Sequence, residues 1–413
     1  MRNSTEIPDG YKDSPLGIIP EDWEVRRLGE CFDISAGRDL EKPFFSEIRT
    51  ELFVYPVYSN SLDNKGLYGF TSKPRCKANS ITITGRGYLG HAEYRFSDFD
   101  AIVRLLVLHP KIEIVCGLIA DYINFKKPFV YESTGVPQLT VPQVKRSCLL
   151  IPPYEEQIRL YQVLKLWDAA IEKQEELIDK LTLRKRGLMQ QLLTGKKRLP
   201  GFSGKWEQVR LGAVCTFFRN VTLSRDQLND TDGQIQNVHY GDVLIKYPSI
   251  LDCSGVSLPY INKDVVINSN ADLVQNGDII MSDTAEDETA GKACEVINVG
   301  DRKILAGLHT MLIRPNSGVF APCFLGYYIN SECYHKQLMP LIQGIKVCSL
   351  GKQAVQNTIL SVPSRKEQEK IVEILTLCES EIRSAVKKKA EMQSQKRGLM
   401  QQLLTGKKRI NFE

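Results

Sequence analysis

The chain has 413 residues, 42% hydrophobic and 25% charged, with a net charge of +5. That length exceeds what one hydrophobic core serves, so two domains or more are expected. The balance is that of an ordinary globular protein and excludes a disordered or collagenous chain. The stretch Met1–Glu6 has no apolar core for a signal peptide, and no run of about eighteen apolar residues occurs, so a cytoplasmic location is expected. The 11 cysteines are scattered and never spaced Cys-x-x-Cys, and no His-x-x-x-His pair occurs among the 5 histidines. Reduced thiols and no structural metal are the expectation.

In chain order, residues 1–22 carry the turns Pro8-Asp9-Gly10 and Pro15-Leu16-Gly17 and read as an arm. A first globular block spans 23–150. Within it Leu52–Tyr58, Ser80–Thr84 and Ala101–Leu108 have the β-branched and aromatic content of strands, and Val115–Phe125 has helical apolar spacing. Residues 151–198 read mainly as one long helix. A second block spans 199–361, with strands expected over Asp242–Tyr247, Asp278–Met281 and Thr310–Ile313 and a helix over Pro322–Leu338. Residues 362–413 close the chain with a second long helix. Both blocks are of α/β or α+β class.

The chain is a tandem duplication. The fourteen-residue string from Lys185 to Arg198 returns unchanged from Lys396 to Arg409, an offset of 211, and Asp22-Trp23-Glu24 is answered by Lys205-Trp206-Glu207. In the first helix Leu160, Leu164, Trp167, Ile171, Gln174, Ile178, Leu181, Lys185, Leu188 and Leu192 are spaced 4-3-4-3. In the second, Ile371, Leu375, Cys378, Ile382, Ala385, Lys389, Met392, Lys396, Leu399 and Leu403 repeat that spacing. A sustained 4-3 repeat keeps one seam toward a partner helix, so an antiparallel coiled-coil pair is predicted, with polar seam positions fixing its register. Gly187 and Gly398 are expected to allow close backbone approach. Charge is uneven: residues 206–360 hold 12 basic and 16 acidic residues, whereas 361–413 hold 12 and 7.

Catalytic motifs are weak. Gly85-Arg86-Gly87-Tyr88-Leu89-Gly90 matches G-x-G-x-x-G, but the residues after it alternate like a strand, which predicts a hairpin and not a dinucleotide site. Ile151-Pro152-Pro153-Tyr154 has the outline of the Asn/Asp-Pro-Pro-Tyr/Phe motif of amino-group DNA methyltransferases, but isoleucine cannot accept the amino hydrogen bond. Loops carrying amide, hydroxyl, guanidinium or ammonium groups are candidates for pairing with base edges. They are Ser59, Asn60, Arg86, Tyr88, Thr134 and Gln138 in the first block, and Asn237, His239, Lys292, Gln343 and Lys346 in the second. The same residue types also serve ordinary turns. A methyltransferase or nuclease with unrecognised motifs, and a coiled-coil scaffold whose ends bind proteins, remain open on residues alone.

The chain resembles the specificity subunit of type I restriction-modification enzymes. The resemblance rests on Tyr11–Gly17 with Pro20-Glu21-Asp22-Trp23, on Ile151–Gln157, on Arg186–Gly195, and on Leu199-Pro200-Gly201-Phe202 with Trp206. It implies two target-recognition domains joined by two long antiparallel helices in a pseudo-twofold duplication, each domain reading half of a bipartite double-stranded DNA site. It implies no catalytic residue and no cofactor on this chain. S-adenosylmethionine, ATP and Mg²⁺ would be held by partners, namely two modification (methyltransferase) subunits and the restriction (translocase and nuclease) subunits.

Overall fold

The computed structural model describes residues 7–129, 137–267, 271–344 and 347–410. It divides into two compact units, one of residues 1–175 with 387–413, the other of 176–386. Both divisions fall inside the long helices Tyr154–Leu192 and Arg365–Leu403, each of 39 residues. Each unit therefore owns the start of one helix and the end of the other.

In the first unit an antiparallel sheet runs in the order Phe32–Ala36, Leu106–Pro110, Ser80–Ile83, Ala92–Arg95. The helix Cys116–Lys126 covers it with Leu118, Ile119 and Ile123 buried. Strand Cys148–Ile151 pairs with Glu24–Arg27 and leads into the long helix, whose Leu160 and Leu164 join the same core as Leu403 and Leu404. In the second unit the order is Cys215–Phe218, Thr310–Pro315, Ile279–Ser282, Ala293–Ile297, Ile250–Asp252. Its core takes Leu192 and Leu193 from the first helix and Ile371 and Leu375 from the second.

Three local expectations are corrected. Ala101–Leu108 is not one strand, because Val103 and Arg104 have left-handed φ of 52° and 59° and separate Asp100–Ala101 from Leu106–Pro110. Asp242–Tyr247 is not a strand: a helix runs Tyr240–Ile245, capped by His239, whose Nδ1 accepts from the Gly241 N–H at 3.2 Å. Pro322–Leu338 is two helices, Phe324–Ile329 and Glu332–Leu338, broken where Ser331 caps the second by accepting from the Tyr334 N–H.

Within each unit the helix segments pair antiparallel. In the first, Lys396 Nζ donates to Asp168 at 2.5 Å and Lys389 to Glu175 at 2.6 Å. In the second, Lys185 Nζ donates to Glu379 at 2.8 Å, and Arg184 pairs with Glu381. Of the seam positions, Leu160, Leu164, Leu192, Ile371, Leu375 and Leu403 are buried; Trp167, Ile171, Ile178, Leu181, Leu188, Ile382, Met392 and Leu399 are half-buried. A ribbon of two helices leaves the flanks of its seam in water, which accounts for the second group. Gly187 and Gly398 do not serve close approach, since a Cβ at either would meet nothing within 4 Å.

The duplicated string closes each core. Glu156, with its side chain 2% exposed, accepts from the Trp23 indole at 3.0 Å and from Arg409 at 2.7 Å. Glu367, 211 residues after Glu156, accepts from Arg198 at 2.7 Å and from the Trp206 indole at 3.3 Å. A buried carboxylate needs such charge-assisted donors to offset its desolvation.

Candidate nucleic-acid interface

In the first unit the segment 84–91 is a hairpin loop joining Ser80–Ile83 to Ala92–Arg95, closed by Thr84 N–H to His91 O at 2.9 Å and Gly90 N–H to Thr84 O at 2.8 Å. No helix starts on these glycines, so the dinucleotide geometry is absent from the segment. Arg86 is exposed and Tyr88 is 53% exposed at the tip. Three other loops meet the hairpin's root. The Asn60 amide donates to the Val103 carbonyl at 2.6 Å and accepts from the Gly85 N–H at 2.7 Å. Leu139 N–H donates to the Gly85 carbonyl at 3.0 Å, bringing half-buried Gln138 beside the same root. Ser59 is half-buried, its N–H bonded to the Gly66 carbonyl. Thr134 lies outside the described residues.

The structure thus brings Ser59, Asn60, Arg86, Tyr88 and Gln138 to one end of one sheet but gives them different tasks. Asn60 has donor and acceptor committed to backbone and holds three loops together. Arg86 and Tyr88 are the exposed side chains at the tip, the Tyr88 ring edge-on to His91 at 6.4 Å.

The second unit gathers the corresponding loops, with other contacts. Leu350 N–H donates to the Asp283 carbonyl at 2.8 Å, matching Leu139 on Gly85, and Asp283 N–H donates to the His309 carbonyl at 3.0 Å. Thr284–Ala285 pairs with Cys348–Ser349, and Gln343 and Ser349 exchange backbone bonds at 3.0 and 2.8 Å. Gly344 sits at φ +106° with its Cβ position 2.0 Å from the Val347 carbonyl oxygen, so the turn beside exposed Gln343 admits only glycine. Lys346 lies outside the described residues.

Three candidates in this unit are corrected. Asn237 is fully buried in strand Gln236–Val238, where no base edge can reach it, and neither amide atom has a hydrogen-bond partner. His239 is 8% exposed and spends Nδ1 on its helix cap, and burial pushes its pKa down. The Lys292 ammonium donates to the Leu244 carbonyl at 2.6 Å, and burial lowers its pKa too. Sequence reasoning singled out the run through Tyr240 but passed over His309, whose ring meets Tyr240 edge-on at 5.3 Å, with the His239 and Tyr240 ring centroids 4.5 Å apart. No local motif marks the contact, because Tyr240 and His309 are 69 residues apart in sequence.

Among the described residues no group of three or more His, Cys, Asp or Glu side chains is placed to hold a metal ion, and no helix is long and apolar enough to cross a membrane. Two copies of a sheet-end loop cluster, each backed by half of a helix pair, match a known family. The model of the type I restriction modification DNA specificity domain fits residues 20–183 and again 203–392. The chain belongs to that family. The two fits cover both loop clusters and most of both helices. The MjaVIII specificity subunit of a type I restriction enzyme from Methanocaldococcus jannaschii is 24% identical, over 95% of both chains. Two solved structures share the fold of these specificity proteins. One is the S subunit of a type I restriction-modification system from M. genitalium, with TM-score 0.56 at 13% identity, covering 97% of this chain and 98% of that one. The other comes from a study of complex assembly and conformational transition in the type I R-M system, with TM-score 0.58 at 17% identity, covering 94% of this chain and 99% of that one.

Proposed function

We propose that this chain is the noncatalytic sequence-specificity subunit of a type I restriction-modification complex, its two units each reading one half of a bipartite DNA site. The observation that carries this is the pairing of unlike with like. The Lys396–Asp168 and Arg409–Glu156 contacts return at an offset of 211 as Lys185–Glu379 and Arg198–Glu367, while the loop clusters carry different side chains, Arg86 and Tyr88 in one and Gln343 and His309 in the other. A shared frame with divergent readers is what two different half-sites require.

Cofactors and catalysis fall to partners: S-adenosylmethionine to two modification subunits, ATP and Mg²⁺ to restriction subunits. Leu166, Leu183 and Leu377 on the long helices are 71%, 69% and 63% exposed. Exposed leucines in such a ribbon favour docking of partner helices. The acidic balance of residues 206–360 fits a subunit that shares phosphate neutralisation with those partners, since phosphate contacts supply most nonspecific affinity.

The test has two arms. The isolated chain should show no saturable binding of S-adenosylmethionine; tight binding would favour a methyltransferase instead. Co-purified with a modification subunit, it should enrich a bipartite motif from a random duplex library. Absence of enrichment would favour a protein-binding scaffold.

A further inference from the structure

Resting on the reading of two half-sites, we infer that Arg104 and His309 are base-reading residues, Arg104 selecting a guanine and His309 a base bearing an exocyclic amino group. Each is the second residue after an amide that bonds back to the neighbouring parallel strand: Ile102 N–H to Tyr58 O at 3.0 Å, and Gly307 N–H to Val238 O at 2.9 Å. Each is a non-glycine residue in left-handed backbone, φ 59° for Arg104 and 54° for His309. Non-glycine residues seldom occupy that region, Asn, Asp and His most often among them, and such outliers cluster at functional sites. Each is exposed and flanks the root of its unit's loop cluster. A Cβ on Gly85 would lie 3.3 Å from the Arg104 carbonyl oxygen, and the His309 carbonyl takes the Asp283 N–H.

The chemistry of the two side chains differs. Two other arginines of the first unit are committed: Arg95 to Thr82 and the Lys65 carbonyl, Arg75 to Asp100 and Glu41. Arg104 keeps an exposed guanidinium fork, and guanine O6 and N7 are its commonest partners in the major groove. His309 is held by a relay. Thr284 Oγ1 donates to Asp283 Oδ1 at 2.8 Å, which leaves Oγ1 as acceptor toward His309 Nδ1 at 3.3 Å. In the neutral imidazole the proton then resides on Nδ1, and Nε2 presents a lone pair. That lone pair accepts from adenine N6 or cytosine N4. The Tyr240 ring, packed edge-on, fixes the plane of the imidazole.

The experiment maps methylated motifs made by the full chain with its modification partner, for wild type, Arg104→Gly and His309→Gly. Glycine is native to left-handed backbone, so each variant removes a side chain without straining the fold. Arg104→Gly should relax one guanine position of one half-site by about tenfold or more, leaving the other half-site as internal control. His309→Gly should relax one adenine or cytosine position in the opposite half-site, and His309→Asn, which lacks the reach of Nε2, should do the same. A bipartite wild-type motif that survives every variant unchanged would overturn this inference alone. Uniform weakening of all positions would overturn it as well, since that marks a phosphate contact. A wild-type complex with no bipartite motif would defeat the functional reading and this inference with it.

Discussion

Lys185 reaches Glu379 at 2.8 Å, and the same pair recurs under the 211-residue offset with its partners exchanged, as Asp168 with Lys396 at 2.5 Å. Each lysine is only 16% exposed on a mostly apolar seam. A charge placed there costs desolvation and is tolerable only when the register delivers its partner. The lysines therefore select the antiparallel alignment that the leucines alone would leave free to slip.

Exchanging that charge tests the point. Lys185→Glu faces Glu379 with a like charge and should lower unfolding stability by about 2 kcal/mol. The double variant Lys185→Glu/Glu379→Lys should recover most of it, a coupling of about 1–2 kcal/mol in urea unfolding. Additive losses would show that the pair does not set the register.

The two copies of the repeated string should fail in unexpected places. Leu193 follows the first block in sequence yet is buried in the core of the second, while Leu404 is buried in the core of the first. Each Leu→Ala change should cost about 3 kcal/mol. Hydrogen exchange should report the loss from Leu193→Ala in strands Ile279–Ser282 and Thr310–Pro315, and from Leu404→Ala in Ser80–Ile83 and Leu106–Pro110. Loss in the sequence-adjacent block instead would contradict the observed packing.

Gly187 and Gly398 face open space inside long helices. Glycine is disfavoured there relative to alanine by about 1 kcal/mol. Gly187→Ala and Gly398→Ala should each raise the chain's stability by about that amount in chemical unfolding.

What the sequence carried, it carried through periodicity and repetition. The 4-3 spacing and the 211-residue offset are local sums over many residues, and no single contact can reverse them. The misread segments turn on one or two residues each. The Asn330-Ser331 break and the His239 cap depend on a side chain reaching a particular amide, and the kink at Val103 and Arg104 is a backbone choice that no apolar pattern marks. The loop clusters were legible as regions, since Arg86, Tyr88 and Gln343 do lie exposed in them. Individual roles were not, because Asn60 and Asn237 carry the same amide, one tied to backbone at both ends and one buried without partners.

Asp121 makes stability depend on pH. Burial raises its pKa from the usual carboxyl value to about 6, outweighing the pull of Lys396 and Lys165, and Oδ2 has no hydrogen-bond partner. A carboxyl with a raised folded pKa contributes stability below its unfolded value, and that contribution is lost as pH rises through about 6. Asp121→Asn should remove this slope between pH 4 and 6.5, gaining about 2 kcal/mol relative to wild type at the upper end. Parallel pH profiles for the two proteins would contradict this assignment.

The proposal that the two units read the halves of a bipartite site on a shared helical frame is tested most directly by the gap in the methylated motif. One heptad inserted after Glu175 and one after Val386 keeps the 4-3 seam and adds about 10 Å to each helix, roughly three base pairs of duplex. With the modification partner present, both half-sites should stay as in wild type while the unread gap lengthens by about that number. An unchanged gap, or a changed half-site sequence, would contradict the account.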